Sequence, residues 1–367
     1  MNKLLKFFAL AGVVISSAAC QLTKDSVTPD KPSADGDLVL SADKYIITAD
    51  GVDGAVITVK IGDEEILEGV TFYSTDNKKM DIPNMYFQAE TPAQYSFWAS
   101  YKTKVSKPIT ITAISARVPE LPEDSAPQSY DFTRKLLLTQ FTGTGCGWCP
   151  FMINLLNDFA TINSDKFVWT VCHSFNQSDP AYLSGSLPGA MSIKGYPYVA
   201  LDLNPATGFN DYTNASAFKR VFDKEYDAEK AKAGISVSNV LDGNLLIVKT
   251  GIKPSEDGEY HLGVWVLEDG INSKQTNNGA TGSFDVHNNC IRLISGQNGN
   301  KDFSGIKYTL KKGEVSEQIV IFELPSKVKG ENCHVVAFVS TERGGTFYVN
   351  NAIDCPLDGE VAFSYNN

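Results

Sequence analysis

Two cysteines separated by two residues, Cys146 and Cys149, lie in the segment FTGTGCGWCPF, directly after the apolar run KLLLTQF. A pair at this spacing can close a small disulfide ring, and the proline that follows is common in the first turn of a helix. Apolar residues then recur at helical spacing, which predicts a strand, a dithiol turn and a helix. Free amides and the dipole at a helix start favour a thiolate on the first cysteine. Cys146 is therefore the predicted attacking sulfur and Cys149 the resolving one.

Strand and helix patterns alternate around this turn, over residues 131–232. The segments FVWTVC (167–172) and YVALDL (198–203) are predicted as buried strands. Strand–helix–strand order favours parallel pairing through a crossover helix. Asn214 is the predicted N-cap of a later helix with one aromatic face.

This order of elements resembles the thioredoxin fold over about residues 133–232. In that superfamily a cis-proline faces the dithiol, and the residue before it pairs with bound peptide backbone. Pro197 after Tyr196 stands at the matching place. The resemblance implies substrate binding by Tyr196, Pro197 and Trp148, although Tyr196 and Trp148 could equally fill space.

Two positions depart from the thioredoxin pattern. Gly145 precedes the first cysteine where thioredoxins carry tryptophan, and Gln140 takes the place of a buried acid that assists proton transfer. Without that carboxylate, the site could reduce substrates more slowly, or favour oxidation or isomerisation.

β-rich segments flank the dithiol region. Residues 38–116 alternate apolar and polar positions between turn residues, which predicts a β-sandwich and resembles immunoglobulin-like modules. Residues 117–130, rich in proline and acid, form a predicted linker. Residues 233–367 predict a second sandwich, with a hairpin at Asp242-Gly243. The expected fold class is therefore multidomain: a β-sandwich, an α/β thioredoxin-like domain, then a β-sandwich.

The first residues indicate export. Residues 1–19 combine lysines, a short apolar run and small residues, as in a signal peptide. Cys20 follows directly after the small residues. This arrangement resembles the lipobox of bacterial lipoproteins, in which the cysteine carries the lipid. An ordinary signal peptide with an incidental Cys20 is the alternative. Residues 20–37 would be a lipid-anchored tether, and no later segment is apolar enough to span a membrane.

Composition narrows the partners. The chain is 43% hydrophobic and 20% charged, as in a globular protein, and its net charge is −11. An acidic surface repels phosphate backbones, so nucleic acid is a poor partner. Thiol–disulfide exchange needs no cofactor.

The remaining cysteines leave their pairing open. Cys172, Cys290, Cys333 and Cys355 allow three complete pairings, and Cys333–Cys355 is one candidate bridge. A zinc site is disfavoured because Cys172 and His173 are adjacent on a predicted strand and point to opposite faces. No metal is expected.

The C-terminal part adds a second resemblance. GVWVLEDGI, Gln275 and DVHNNCIRLISGQNG, together with FTGTGCGWCP, resemble the outer-membrane-protein-twenty-eight-related lipoproteins, in which a CxxCP thioredoxin-like domain precedes a β-sandwich domain. His287, Asn288 and Arg292 match its short motif, and we interpret them as hydrogen-bonding residues. His261 and His334 are expected to be isolated and structural. The resemblance implies the envelope of a Gram-negative bacterium, with the protein as an outer-membrane lipoprotein.

Two functions follow. The first is a thiol–disulfide oxidoreductase or isomerase acting on thiols or disulfides of exported proteins, with a membrane anchor. The second is a non-catalytic binding lipoprotein whose β domains engage a surface ligand.

Overall fold

The computed structural model describes residues 13–16, 37–296 and 303–366. The predicted lipidation site Cys20 lies outside the described residues, as do most of the predicted signal peptide and tether. Within the described residues, no helix has the length and apolar character needed to cross a bilayer.

The first part of the chain is a β-sandwich. The strand β1 Val13–Ser16 precedes it, and the strands of the sandwich itself are β2 Leu38–Ala42, β3 Ile46–Thr48, β4 Gly54–Ile61, β5 Glu64–Glu65, β6 Thr71–Ser74, β7 Lys79–Met80, β8 Tyr86–Gln88, β9 Ala93–Tyr101, β10 Lys104–Val105 and β11 Ile109–Ile114. β2, β4, β5 and β8 form one sheet, and β3, β6, β7, β9, β10 and β11 form the other. Ile57 and Val59 of β4 share one buried cluster with Phe97 and Ile111 of the second sheet. Burying one apolar face of each sheet in this way stabilises the pair. β1 instead pairs with a strand near the C-terminus.

The middle part alternates strands and helices. Its elements are β12 Leu136–Thr142, α1 Cys149–Asn163, β13 Phe167–His173, α2 Leu187–Ala190, β14 Tyr198–Leu201, β15 Asn204–Phe209 and α3 Ala215–Tyr226. β12 and β13 are parallel and joined through α1, as predicted. Asn214 accepts a hydrogen bond from the Ala217 amide, which confirms the predicted N-cap.

One strand of this part was not anticipated. The predicted strand 198–203 ends at Leu201, and the chain turns back into β15 through Asp202 and Leu203, both at positive φ. Leucine rarely adopts that conformation, so a two-residue turn through Leu203 is not one that the sequence pattern predicts. The Arg134 guanidinium holds the turn by an ion pair of 2.7 Å to the buried Asp202 carboxylate.

The C-terminal part is again β. Its strands are β16 Ala233–Asp242, β17 Leu245–Pro254, β18 Gly258–Glu268, β19 Ile271–Asn272, β20 Val286–His287, β21 Cys290–Ile294, β22 Ile306–Leu310, β23 Ser316–Glu323, β24 Cys333–Arg343, β25 Thr346–Pro356 and β26 Glu360–Val361. β16 and β17 form the predicted hairpin, with Gly243 at φ 63°. One sheet runs β1-β23-β17-β16-β26. Val237 and Val248 of that sheet pack against Val264 and Val335 of β18 and β24.

The second sheet crosses the boundary placed at residue 232. Its order is β15-β14-β12-β13-β21-β18-β24-β25, with β22 also paired to β18. β13 joins β21 by parallel pairing, where the Val171 amide donates to the Asn289 carbonyl at 2.8 Å. Trp265 and Phe338 on this sheet share a buried cluster with Phe141 of β12. Sequence alternation shows which faces are buried but not which strand edges meet, so it cannot reveal this junction.

His334 lies between two carboxylates. The expectation that it is isolated is therefore wrong. Its Nδ1 is 2.7 Å from Asp354 Oδ1, and its Nε2 is 3.7 Å from Asp269 Oδ1. Burial alone would lower the pKa of His334, but the two carboxylates outweigh it and raise this pKa to about 9. The charged imidazole thus ties the start of the 269–289 segment to β25.

Replacing His334 should make stability less dependent on pH. Because the folded pKa is raised, the stabilisation is complete below about pH 6.5 and is lost as the pH rises through about 9. We expect His334→Gln to lower the free energy of unfolding at pH 6 by about 1–2 kcal/mol more than at pH 10. The two carboxylates are half exposed, and solvent screening keeps the difference this small. Urea titrations at both pH values measure this. His261→Gln, on a ring that packs against Phe347, is the matched control. An equal loss at both pH values would contradict the prediction.

Candidate functional site

The dithiol lies in the loop between β12 and α1. Cys146 and Cys149 form a disulfide with their Cα atoms 5.4 Å apart. Cys146 is 4% exposed and Cys149 is fully buried. Helix α1 begins at Cys149, with Pro150 in its first turn as predicted, so Cys146 precedes the helix by one turn of loop. Both cysteines are therefore buried in the disulfide form, and Cys146, in the loop, is the less enclosed of the two.

Trp148 is at the surface beside the disulfide. It is 47% exposed, which disfavours a space-filling role. Its ring lies 5.7 Å from that of Phe151 and stacks nearly parallel to Tyr212 at 5.9 Å. These three rings form an aromatic surface next to Cys149.

Tyr196 and Pro197 reach the dithiol loop through Phe175. The Tyr196–Pro197 bond is cis and leads into β14. The Tyr196 ring is 5.3 Å from Phe175. A Cβ on Gly145 would lie 3.2 Å from both the Phe175 ring and Asn176 Oδ1, so a larger residue before the first cysteine would press on these two side chains. The structure therefore brings the predicted residues to one end of the sheet.

A segment of the C-terminal part crosses the dithiol loop from the other side. We call residues 275–281 the strap. The buried Gln275 side chain donates its amide to the carbonyls of Gly143, at 3.2 Å, and of Cys146, at 3.0 Å. Each of these carbonyls also accepts a backbone amide, that of Cys146 for Gly143 and that of Cys149 for Cys146, so Gln275 adds a second donor to each.

The strap backbone also pairs with the loop. The Thr276 amide donates to the Thr144 carbonyl at 2.8 Å, and the Asn278 amide donates to the Gly147 carbonyl at 2.9 Å. A Cβ on Gly147 would lie 2.4 Å from Asn278 Oδ1, so a larger residue there would displace the Asn278 side chain. The strap therefore closes this side of the disulfide.

A buried histidine and aspartate lie under the loop. His173 Nδ1 is 2.8 Å from Asp179 Oδ2, and the same oxygen accepts the Thr144 amide at 2.6 Å. The His287 ring is 5.0 Å from His173 and perpendicular to it. Sequence reasoning considered His173 only as a zinc ligand, because Asp179 lies in a loop with no recognisable pattern.

A cavity of about 280 Å³ adjoins these rings. Its lining includes Gln140 and Thr142 of β12 and Trp169 of β13. Gln140 Nε2, Thr142 Oγ1 and Trp169 Nε1 are buried and have no hydrogen-bond partner among the described residues. Buried polar groups are normally bonded to protein or water, so the wall of this cavity is unusual in carrying three polar groups without a partner in the part of the chain that the structure describes.

The remaining predicted residues have structural contacts. His287 Nε2 is 3.0 Å from the Ser273 carbonyl, Asn288 Oδ1 accepts the Gly270 amide, and Arg292 is ion-paired with the buried Glu268. These contacts confirm the hydrogen-bonding interpretation.

The other cysteines of the described part of the chain are unbridged. They are Cys172, Cys290, Cys333 and Cys355, all free and buried. The candidate Cys333–Cys355 bridge is therefore wrong: Cys355 lies opposite Val335 on the neighbouring strand. In residues 37–296 and 303–366, no cluster of three or more histidine, cysteine or acidic side chains could hold a metal.

Removing the Gln275 side chain should loosen the strap. In Gln275→Ala the Gly143 and Cys146 carbonyls each lose one of two donors, and the loss of two hydrogen bonds favours local opening of the strap by about 1–2 kcal/mol. We expect hydrogen exchange at the Thr276 and Asn278 amides to be roughly tenfold faster or more. Gln88→Ala is the matched control, because Gln88 also donates to two backbone carbonyls, far from the site. An unchanged hydrogen-exchange rate at both strap amides would contradict the prediction that Gln275 holds the strap to the dithiol loop.

Three comparisons relate the chain to known proteins. A family model described as outer membrane protein Omp28 matches residues 186–353. HBP35 of Porphyromonas gingivalis is similar in structure, with a TM-score of 0.53 and 18% identity over 62% of this chain and 76% of that one. Protein AGR_C_4864 from Agrobacterium tumefaciens aligns with 64% of this chain and 99% of its own at 13% identity, with a TM-score of 0.40. No curated protein matches significantly. The family match supports an outer-membrane or cell-envelope location, as the sequence predicts.

Proposed function

We propose that this chain is a cell-envelope thiol–disulfide oxidoreductase or isomerase, in which a thioredoxin-like unit over residues 131–232 carries the dithiol. The observation that carries the proposal is the asymmetry of the disulfide. Cys146 keeps a small exposed area in a loop, whereas Cys149 is enclosed at the start of α1. A redox pair needs one sulfur that a partner can reach and one that is protected until it resolves the intermediate.

The exchange has two steps. In the reducing direction the Cys146 thiolate attacks a substrate disulfide, a new S–S bond forms, and one substrate sulfur leaves as a thiolate. Cys149 then gives up its proton and attacks the Cys146 sulfur, which releases the second substrate thiolate and restores the Cys146–Cys149 disulfide. The substrate gains two electrons and the protein dithiol loses two. The reverse sequence oxidises a substrate dithiol, and no cofactor takes part.

The substrate side is the one that the strap leaves open. Trp148 offers a half-exposed aromatic surface, and Tyr196 with Pro197 lies at the same end of the sheet. An extended segment of an exported protein could lie between them, with its cysteine at Cys146. Aromatic side chains suit this task because they bind many sequences through apolar area.

Membrane attachment belongs to the proposal as well. Lipid on Cys20 would hold the folded body at the envelope membrane through a short polar tether. The envelope is an oxidising compartment where disulfides form and persist.

Binding without catalysis is the second candidate function. It is favoured by the strap, which bonds to the dithiol loop on one side and would suit a structural disulfide. In that case the β parts, the first of them immunoglobulin-like, would engage a surface ligand and the thioredoxin-like unit would be a scaffold.

Trapping separates the two functions. In Cys149→Ser the mixed disulfide on Cys146 cannot be resolved, so we expect adducts with exported proteins that disappear on reduction in non-reducing gels of envelope fractions. Cys146→Ser should give none. Cys172→Ser is the control, because this thiol is fully buried and burial raises its pKa to about 12. Absence of adducts, together with a wild-type protein that neither reduces nor isomerises a model disulfide, would favour the binding function.

Lipidation has its own test. Cells that express the full chain should incorporate labelled palmitate into it, and Cys20→Ser should abolish the label and release the protein from the membrane fraction. Cys172→Ser again serves as the control. Label retained in Cys20→Ser would refute the anchor.

A further inference from the structure

Asp179 connects a buried histidine to the dithiol loop. Its Oδ2 accepts the Thr144 amide, two residues before Cys146, and lies 2.8 Å from His173 Nδ1. Its Oδ1 accepts the Ala181 amide at 2.9 Å. The His173 and Asp179 side chains are 1% and 0% exposed.

The carboxylate of this pair is ionised. Burial alone would raise the pKa of Asp179, but the hydrogen bond with His173 and the two amides outweigh it and hold this pKa well below its ordinary value. When the imidazole is neutral, a charged carboxylate keeps its proton on Nδ1, which leaves Nε2 free to accept one. The pair therefore has the arrangement of a general acid–base dyad.

The dyad faces the polar cavity. His173, Gln140 and Thr142 line one wall, and Ile153 of α1 lines another. Ile153 follows Cys149 by four residues, so both project from the same face of the helix, one turn apart. A cavity of about 280 Å³ that is lined by two histidines and four asparagines is large enough and polar enough to hold water. The cavity therefore lies between the imidazole and the face of α1 that carries Cys149 one turn earlier.

We propose that the His173–Asp179 dyad supplies and accepts the proton of Cys149 through water in this cavity. The inference rests on the proposed function. When a thiol attacks Cys146, the S–S bond breaks and Cys149 leaves as a thiolate, which takes a proton relayed from the His173 imidazolium. When the disulfide closes again, the Cys149 proton returns to the neutral imidazole. His173 is thus a positioning and relay residue, and the sulfurs remain the reacting atoms.

Few titratable groups surround His173 among the described residues. Asp179 comes from the loop after β13, His287 from β20, and the Asp285 carboxylate lies beyond His287. Burial is the main reason that the pKa of His287 is lowered. The cavity lining within the described residues contains no lysine, arginine or acidic side chain.

The test is the pH profile of disulfide reduction in the full-length protein. The oxidised chain is mixed with dithiothreitol from pH 5.5 to 9, quenched with acid, and its free thiols are labelled. We expect the wild-type rate, divided by the concentration of dithiothreitol thiolate, to fall through one ionisation as the pH rises, because the imidazolium form is needed. His173→Gln should make this quotient flat and about tenfold or more lower at pH 6.

Companion variants keep the test decisive. Asp179→Asn retains a carbonyl oxygen for the Thr144 amide but loses the charge, and should also flatten the profile if His173→Gln fails to fold. Gln140→Asp places a carboxyl group in the cavity and should restore a pH-dependent rate in the His173→Gln protein. His261→Gln should behave like the wild type.

Two results would overturn the relay. One is a folded His173→Gln or Asp179→Asn protein whose profile keeps the wild-type shape while Cys149→Ser still traps partners; this leaves the proposed function intact. The other is a wild-type disulfide that dithiothreitol does not reduce at any pH, which would overturn both.

Discussion

The parallel pairing of β13 with β21 is the contact on which the site depends. Through this pairing, which includes a hydrogen bond from the Val171 amide to the Asn289 carbonyl, one sheet continues from the middle part into the C-terminal part. The segment before Asn289 is thereby held next to the dithiol loop, and the strap can reach the carbonyls of Gly143 and Cys146. The candidate site is therefore formed by residues more than a hundred positions apart in sequence.

This construction gives the disulfide two unlike sides. The strap closes one side with hydrogen bonds to the loop, while Trp148 and the Tyr196–Pro197 turn leave the other side to a partner. Beneath the loop, Asp179 fixes both the loop backbone and the His173 ring. These contacts thus determine which side of the disulfide is open, how the His173 ring is oriented and, in the proposed relay, where the Cys149 proton goes. Because the strap is held mostly by hydrogen bonds, we expect it to open more easily than the sheets.

Local features could be predicted from the sequence and distant ones could not. The dithiol turn, the Asn214 cap and the hairpin at Gly243 depend on residues within a few positions of each other. The β13–β21 junction and the role of Gln275 depend on strand edges that meet across the fold, on which alternation is silent. The Asp202–Leu203 turn escaped for another reason: its conformation is one that leucine rarely adopts.

The most direct measurement is differential alkylation of the fully reduced chain at pH 7, with each cysteine quantified by mass spectrometry. The account predicts that Cys146 reacts first, faster than an unstructured cysteine peptide, and that Cys149 and the buried cysteines lag far behind. A Cys146 that reacts no faster than Cys149 or Cys172 would contradict it, because the asymmetry on which the proposed exchange rests would then be absent.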